Sequence, residues 1–226
     1  MGWSKWIREG IEVEPSFYAA DFRRLGQQID ALLEAGCRVF HFDCGDGHFV
    51  PPVTIGPVVL RSISPGIHAA GGVLDCHLMV DDPAHHLEEF AASGADSVTF
   101  HVEASSDPGG VAEQARGLGL GVGIAFNPET EPTRGAEVAA EAAADLVLCM
   151  SIHPGYGGQS FMPESLGRIE RLASLVTVPI QVDGGVGDDN IRSLRDAGAS
   201  LFVAGTSVFS ASDPAEAYAR LRAAAM

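Results

Sequence analysis

Residues 41–50 read HFDCGDGHFV, a run in which a histidine and an aspartate, His41 and Asp43, stand two positions apart. The alternation recurs in VLDCHLMV with Asp75 and His77, in TFHVE with Thr99 and His101, and in PIQVDGG with Gln181 and Asp183. Side chains alternate faces along a strand, so each polar pair shares one face while neighbours such as Phe40, Phe42 and Cys44 take the other. A buried polar group standing alone is costly; several of them around one cation are not. His41, Asp43, His77 and Asp183 form a mixed nitrogen and oxygen donor set suited to one divalent metal, with Zn²⁺ the first expectation and Fe²⁺, Mn²⁺ or Co²⁺ as alternatives.

Two carboxylates brought to one ion from different strands have a further use. Asp43 and Asp183 can approach a planar carbon centre from opposite faces, one removing a proton beside a carbonyl and the other delivering a proton to the far side. With the enediolate stabilised between the two steps, the product is the epimer. An anchor for the substrate is offered by PGYGGQSF, DGGVGDDN and AGTSVF, each placed after a strand. There the backbone amides of Gly157, Gly158, Gly184, Gly185, Gly205 and Thr206 can converge on an anion such as a phosphate without any lysine.

The elements that must position these groups follow from pattern. Eight apolar runs read as strands, at 11–17, 38–43, 73–79, 97–102, 121–126, 145–151, 178–183 and 201–205. Between them lie amphipathic stretches such as DFRRLGQQIDALLEAG and DPAHHLEEFAASGA, which open on aspartate and close near glycine, as helices do. Eight β-then-α units without a ninth strand predict a closed parallel α/β barrel, the (β/α)8 TIM barrel. On such a barrel the inward polar residues would gather at the carboxyl ends of the strands, where active sites are built. A weak echo, with a small residue at Gly36, Gly94, Ala144 and Gly198 before alternate strands, fits the same rhythm. One domain over residues 1–226 is expected, with 1–10 as an amino-terminal extension in which Trp3, Trp6 and Ile7 form a short apolar face, ready to plug the barrel bottom or meet a second subunit.

Composition narrows the function classes. Fourteen basic against 30 acidic residues give a net charge of −16, which disfavours nucleic acid and anionic membranes as partners. No run is apolar enough for a signal peptide or a membrane span, so a cytoplasmic location is expected. Lys5 is the only lysine and lies in the extension, which argues against Schiff-base and P-loop chemistry and against lysine-dependent decarboxylases or aldolases. Cys37, Cys44, Cys76 and Cys149 form no CxxC pair and are expected to be buried thiols.

Taken in order, PSFYAADF, HFDCGDGHFVPPVTIGP, DCHLMV, FHVEA, MSIHPGYGGQSF, VDGGV and VAGTSVF resemble the successive signatures of the ribulose-phosphate 3-epimerase family, from about Pro15 to Phe209. The resemblance implies a TIM-barrel isomerase of the pentose phosphate pathway, interconverting D-ribulose 5-phosphate and D-xylulose 5-phosphate with one divalent metal. It implies His41, Asp43, His77 and Asp183 as ligands and Asp43 and Asp183 as the acid-base pair. By the same analogy Ser16 contacts the sugar, Met79 and Met150 belong to an apolar collar over the metal, and Gly155 to Gly158 form a loop that closes over the substrate. A sugar phosphate is the implied ligand and a homo-oligomer the implied assembly. The sequence departs from the family at Gly45, where a methionine is usual, at Phe17, Tyr18 and Ala19, and at Pro52, where asparagine is common. The space left at Gly45 is open to Tyr18 or a neighbour, and D-allulose 6-phosphate is the alternative substrate. A non-catalytic sugar-phosphate-binding barrel is a further alternative, which the two intact aspartates disfavour.

Overall fold

The computed structural model describes Trp3, Ile7 and residues 10–226. Eight strands, β1 (Glu12–Pro15), β2 (Val39–Gly45), β3 (Val73–Met79), β4 (Ser97–His101), β5 (Gly121–Phe126), β6 (Leu146–Met150), β7 (Ile180–Asp183) and β8 (Leu201–Ala204), pair in parallel in the order β1-β8-β7-β6-β5-β4-β3-β2. A parallel bridge between Ser16 and His41 joins β1 to β2 and brings the ring round on itself. Around it run α1 (Leu25–Glu34), α2 (Pro57–Ala69), α3 (Pro83–Ala92), α4 (Pro108–Gly117), α5 (Pro132–Glu141), α6 (Ser165–Ala173), α7 (Ile191–Asp196), α8 (Thr206–Phe209) and α9 (Pro214–Ala225). This is the expected (β/α)8 barrel.

Expected and observed strands differ only at their ends. β1 stops at Pro15 because Ser16 leaves the strand to cap a 3₁₀ turn, Phe17–Ala19, its Oγ accepting the Tyr18 N–H at 3.3 Å. β2 runs on to Gly45, held by its ladder with β3 out to Met79. β7 begins at Ile180, after Pro179, which has no N–H to give to a ladder. Three helices start on the same device: Asp82-Pro83, Asp107-Pro108 and Asp213-Pro214 each put an aspartate at the cap, accepting backbone N–H groups, and a proline at the first helical position.

Strand parity separates two cores. Phe40, Phe42, Leu74, Cys76, Val98, Phe100, Val147 and Val182 face outward and pack under the helices. Val39, Val73, Leu146, Leu148 and Leu201 face inward and fill the lower lumen together with Trp3 and Ile7. Trp3 is buried, and a Cβ at Gly121 would lie 2.2 Å from its indole, so the ring occupies the space that a side chain at the start of β5 would need. Of the two fates expected for the extension, Trp3 and Ile7 take the plug; Trp6 lies outside the described residues. All four cysteines are free and buried, as expected.

Candidate metal centre and active-site mouth

Above the apolar floor the lumen turns polar in two layers. In the lower one, Asp75 accepts hydrogen bonds from Ser97 Oγ at 2.6 Å and Gln181 Nε2 at 2.8 Å, and its Oδ2 lies 3.2 Å from His41 Nδ1. Gln181 Nε2 also donates to Glu14 Oε2 at 2.6 Å, and that oxygen stands 3.6 Å from His41 Nδ1. Burial pushes the Glu14 carboxyl up to about 7, with neighbouring Asp75 adding to it against the pull of His41 and Gln181.

The upper layer holds the expected ligands. His41, Asp43, His77 and Asp183 each offer an atom to one cluster in which all four lie within 4.8 Å of one another. His77 Nδ1 is 3.0 Å from Asp43 Oδ1 and 3.6 Å from Asp183 Oδ2, and His41 Nε2 is 3.3 Å from Asp43 Oδ1. The two histidines therefore turn different nitrogens to the centre. Ser16 Oγ donates to Asp43 Oδ2 at 2.5 Å and fixes that carboxylate across the β1–β2 junction.

Electrostatics at this centre call for positive charge. Burial works to lower both histidines; for His41 the carboxylates of Asp43, Asp75 and Glu14 outweigh it, for His77 those of Asp183 and Asp43, and both pKa values end above the ordinary range. Burial likewise works to raise Asp43, but His41 and His77 overcome it and hold the carboxyl well below the usual carboxylate range. His41 Nε2 is buried, makes no hydrogen bond and faces the cluster. A bare imidazole nitrogen beside two carboxylates and a second imidazole fits a divalent cation, in kind and in number of donors.

The nitrogen of each histidine that faces away from the cluster also has a partner. His41 Nδ1 has Asp75, the carboxylate–histidine arrangement common behind metal ligands. His77 Nε2 has His101 Nε2, at 2.8 Å with the rings stacked 5.0 Å apart. Burial drives His101 down to about 4, so near neutrality the ring is uncharged and free to accept. Its Nδ1 faces Glu103 Oε2 at 3.4 Å, a contact looser than a settled hydrogen bond. Glu103 is held in turn by the Asn127 backbone N–H at 2.9 Å and by Thr130 Oγ.

The open pocket at the carboxyl ends of the strands is lined by Ser16, Asp43, Met79, Met150, Gly155, Gly157, Gly158, Asp183, Gly184, Gly185, Gly205 and Thr206. Every expected site residue is thus on its wall except His41 and His77, which lie buried beneath it. Gly184 and Gly185 have φ of 120° and 64°, a left-handed pair that side chains resist, and a Cβ at Gly185 would lie 2.6 Å from the backbone of Phe161. Tyr18 also lines the pocket, but it does not fill the space at Gly45. Val50 and Thr54 do so, their methyl groups 2.7 and 3.2 Å from where a Cβ at 45 would stand, while Tyr18 packs on Gly157. His48 and His153 stay off the pocket wall, and His153 pairs with Glu129 at 2.9 Å on the surface. Sequence reasoning missed Glu14, Glu103 and Arg168. The Arg168 guanidinium donates to the carbonyls of Met150 at 2.8 Å, Asn127 at 2.7 Å and Thr130 at 3.2 Å, which ties the ends of β5 and β6 together.

This arrangement has counterparts. Residues 12–209 match the ribulose-phosphate 3 epimerase family. A ribulose-phosphate 3-epimerase of Synechocystis sp. is 41% identical over 223 residues, covering 96% of this chain and 95% of that protein. One of Mycobacterium tuberculosis is 39% identical over 218 residues, covering 94% and 92%. Among solved structures, 3-hexulose-6-phosphate synthase shares the fold, with a TM-score of 0.75 at 23% identity over 96% of this chain and all of that one. With the match spanning every strand, and the relatives alike over nearly their full length, the chain belongs to the ribulose-phosphate 3 epimerase family.

Proposed function

We propose that the protein is a metal-dependent ketose-phosphate 3-epimerase acting between D-ribulose 5-phosphate and D-xylulose 5-phosphate. The observation that carries this reading is the meeting of Asp43 and Asp183, from strands separated by β1 and β8 in the ring, on one donor cluster beside an open pocket. His41 through Nε2, His77 through Nδ1 and an oxygen from each aspartate would hold the ion, zinc being our first choice for such a set. When bound, the ion supplies Lewis-acid stabilisation of the negative charge that builds on the substrate oxygens. Asp43 and Asp183 do the proton work, one taking the C3 proton from one face of the sugar and the other returning a proton to the opposite face. Ser16 orients Asp43 and reaches the sugar hydroxyls from the same position. Backbone amides at Gly184, Gly185, Gly205 and Thr206 receive the phosphate. Gly155, Gly157 and Gly158 close over the sugar with Met79 and Met150 against it, keeping water from the enediolate.

We take residues 1–226 as one domain, in the cytoplasm, assembling with copies of itself. Among the described residues no helix is long and apolar enough to cross a membrane, and the net charge of −16 disfavours nucleic acid. The test is incubation of the metal-loaded protein with ribulose 5-phosphate in D₂O. Deuterium at C3 with formation of xylulose 5-phosphate, abolished by a chelator and restored by metal, is the expected result. Exchange with allulose 6-phosphate in preference would move the substrate assignment, and exchange with neither sugar would overturn the reaction.

A further inference from the structure

The contact between His77 Nε2 and His101 Nε2, 2.8 Å long, can hold only one proton. Two would collide, and none would set two lone pairs against each other. His77 points Nδ1 at Asp43 and Asp183, and to serve as a ligand that nitrogen must be bare. A neutral His77 then carries its proton on Nε2 and donates it to His101. His101 must in turn be bare at Nε2 and protonated at Nδ1, where Glu103 Oε2 lies at 3.4 Å. Glu103 sits on the turn Val102–Ala104 that follows β4, and its other oxygen is fixed by Asn127 N–H and Thr130 Oγ. Arg168 holds the carbonyls of those same two residues. The carboxylate is therefore anchored by the loop after β5, which Arg168 of α6 holds in turn, and by none of the four clustered residues.

We propose that Glu103, acting through His101, sets the tautomer of His77 so that a bare Nδ1 is presented to the cation. Glu103 and His101 are positioning residues, distinct in kind from Asp75, which acts on His41 directly and as an anion. The two histidine ligands are then braced unequally, one by a carboxylate and one by a neutral ring that a carboxylate has oriented. This inference rests on the reading of the four-residue cluster as a divalent-cation site.

The test is divalent-cation affinity, measured with Mn²⁺ and Zn²⁺ against a chromophoric chelator, together with nitrogen NMR of the histidine rings in the zinc-loaded protein. In the wild type, His101 is expected as the Nδ1–H tautomer and His77 as the Nε2–H tautomer. His101→Leu, which offers no acceptor, is expected to lose about 10–100-fold in affinity, the range typical of outer partners of metal ligands. His101→Gln, which restores an acceptor near the Nε2 position, should recover most of it. Glu103→Ala lies nearer the surface and guards against a folding failure at the buried His101; it should release the His101 tautomer and weaken binding, and Glu103→Gln, whose one amide oxygen is claimed by Asn127 N–H and Thr130 Oγ, turns its NH2 towards His101 Nδ1 and should weaken binding as well. Wild-type protein that binds neither ion would overturn the cation-site reading itself. Wild-type binding that is matched by His101→Leu and Glu103→Ala, or a His101 ring protonated at Nε2, would overturn this proposal and leave the cation site standing.

Discussion

Under the proposed reaction Asp43 and Asp183 serve opposite faces of one carbon, and this makes their loss distinguishable. Asp43→Asn and Asp183→Asn should each cut epimerisation by about 10²–10⁴-fold at saturating metal. Each variant retains one base, so each should still exchange the C3 proton of one epimer with solvent, and the two variants should choose different epimers. Exchange of the same epimer by both would sink the two-base assignment. Glu103 gives a separate test through pH. Burial would raise its carboxyl, but the His101 ring facing it and the hydrogen bonds from Thr130 Oγ and the Asn127 N–H prevail and hold it at about 2, below the ordinary 4.5. A carboxyl lowered in this way contributes stability that is full above about 4.5 and lost as pH falls through about 2. Solvent reaches this carboxylate and screens it, so Glu103→Gln should unfold only on the order of 1 kcal/mol more easily than wild type at pH 7, with the gap closing in acid; a constant gap in urea titrations across that window would contradict it. At this scale the sequence was legible where two-residue alternation applied, which is why His41, Asp43, His77 and Asp183 could be grouped. Glu14 obeys the same alternation with Ser16, but its partner Gln181 lies 167 residues away, and no local pattern announces such a pair. Arg168 acts on carbonyls, which carry no side-chain signature at all.

The helices show how far local chemistry fixes an element and where it slips. The small-residue echo at Gly36, Gly94 and Gly198 is the left-handed position that follows a helix cap, with φ of 92°, 96° and 114°. In the remaining repeat that position is Ala143, at φ 46°, one residue before the Ala144 that the spacing had picked. A side chain in this region is strained by about 1–2 kcal/mol, partly offset because glycine costs more chain entropy. Ala143→Gly should accordingly raise stability by about 0.5–1 kcal/mol without touching activity; a loss of stability in thermal or urea melts would show that the turn is not strained. The first helix starts later than the sequence suggests. Asp21 looks like its cap, yet it binds Arg23 N–H and Arg24 Nε in a turn, and the helix begins at Leu25.

At the scale of the whole molecule, eight strands and their order of polar and apolar faces were readable, because a barrel imposes one alternation on every strand. The destination of the extension was not readable, since an apolar face states that it will be buried and not where. Trp3 and Ile7 answer that by closing the lumen at the end opposite the pocket. Trp3→Ala should cost on the order of 3 kcal/mol in stability while leaving kcat and KM near wild type at temperatures where the protein is folded; a changed KM would mean that the two ends of the barrel communicate. Among the described residues β1 meets β2 through the single Ser16–His41 bridge, whereas the other junctions are ladders of three to seven register pairs. A hoop with one narrow weld gives way there first, and this weld carries Ser16 next to the Asp43 that it binds. A molecule that settles in the mouth and grips both residues rivets the hoop shut, so amide hydrogens flanking the weld will trade with solvent more slowly once the enzyme is occupied.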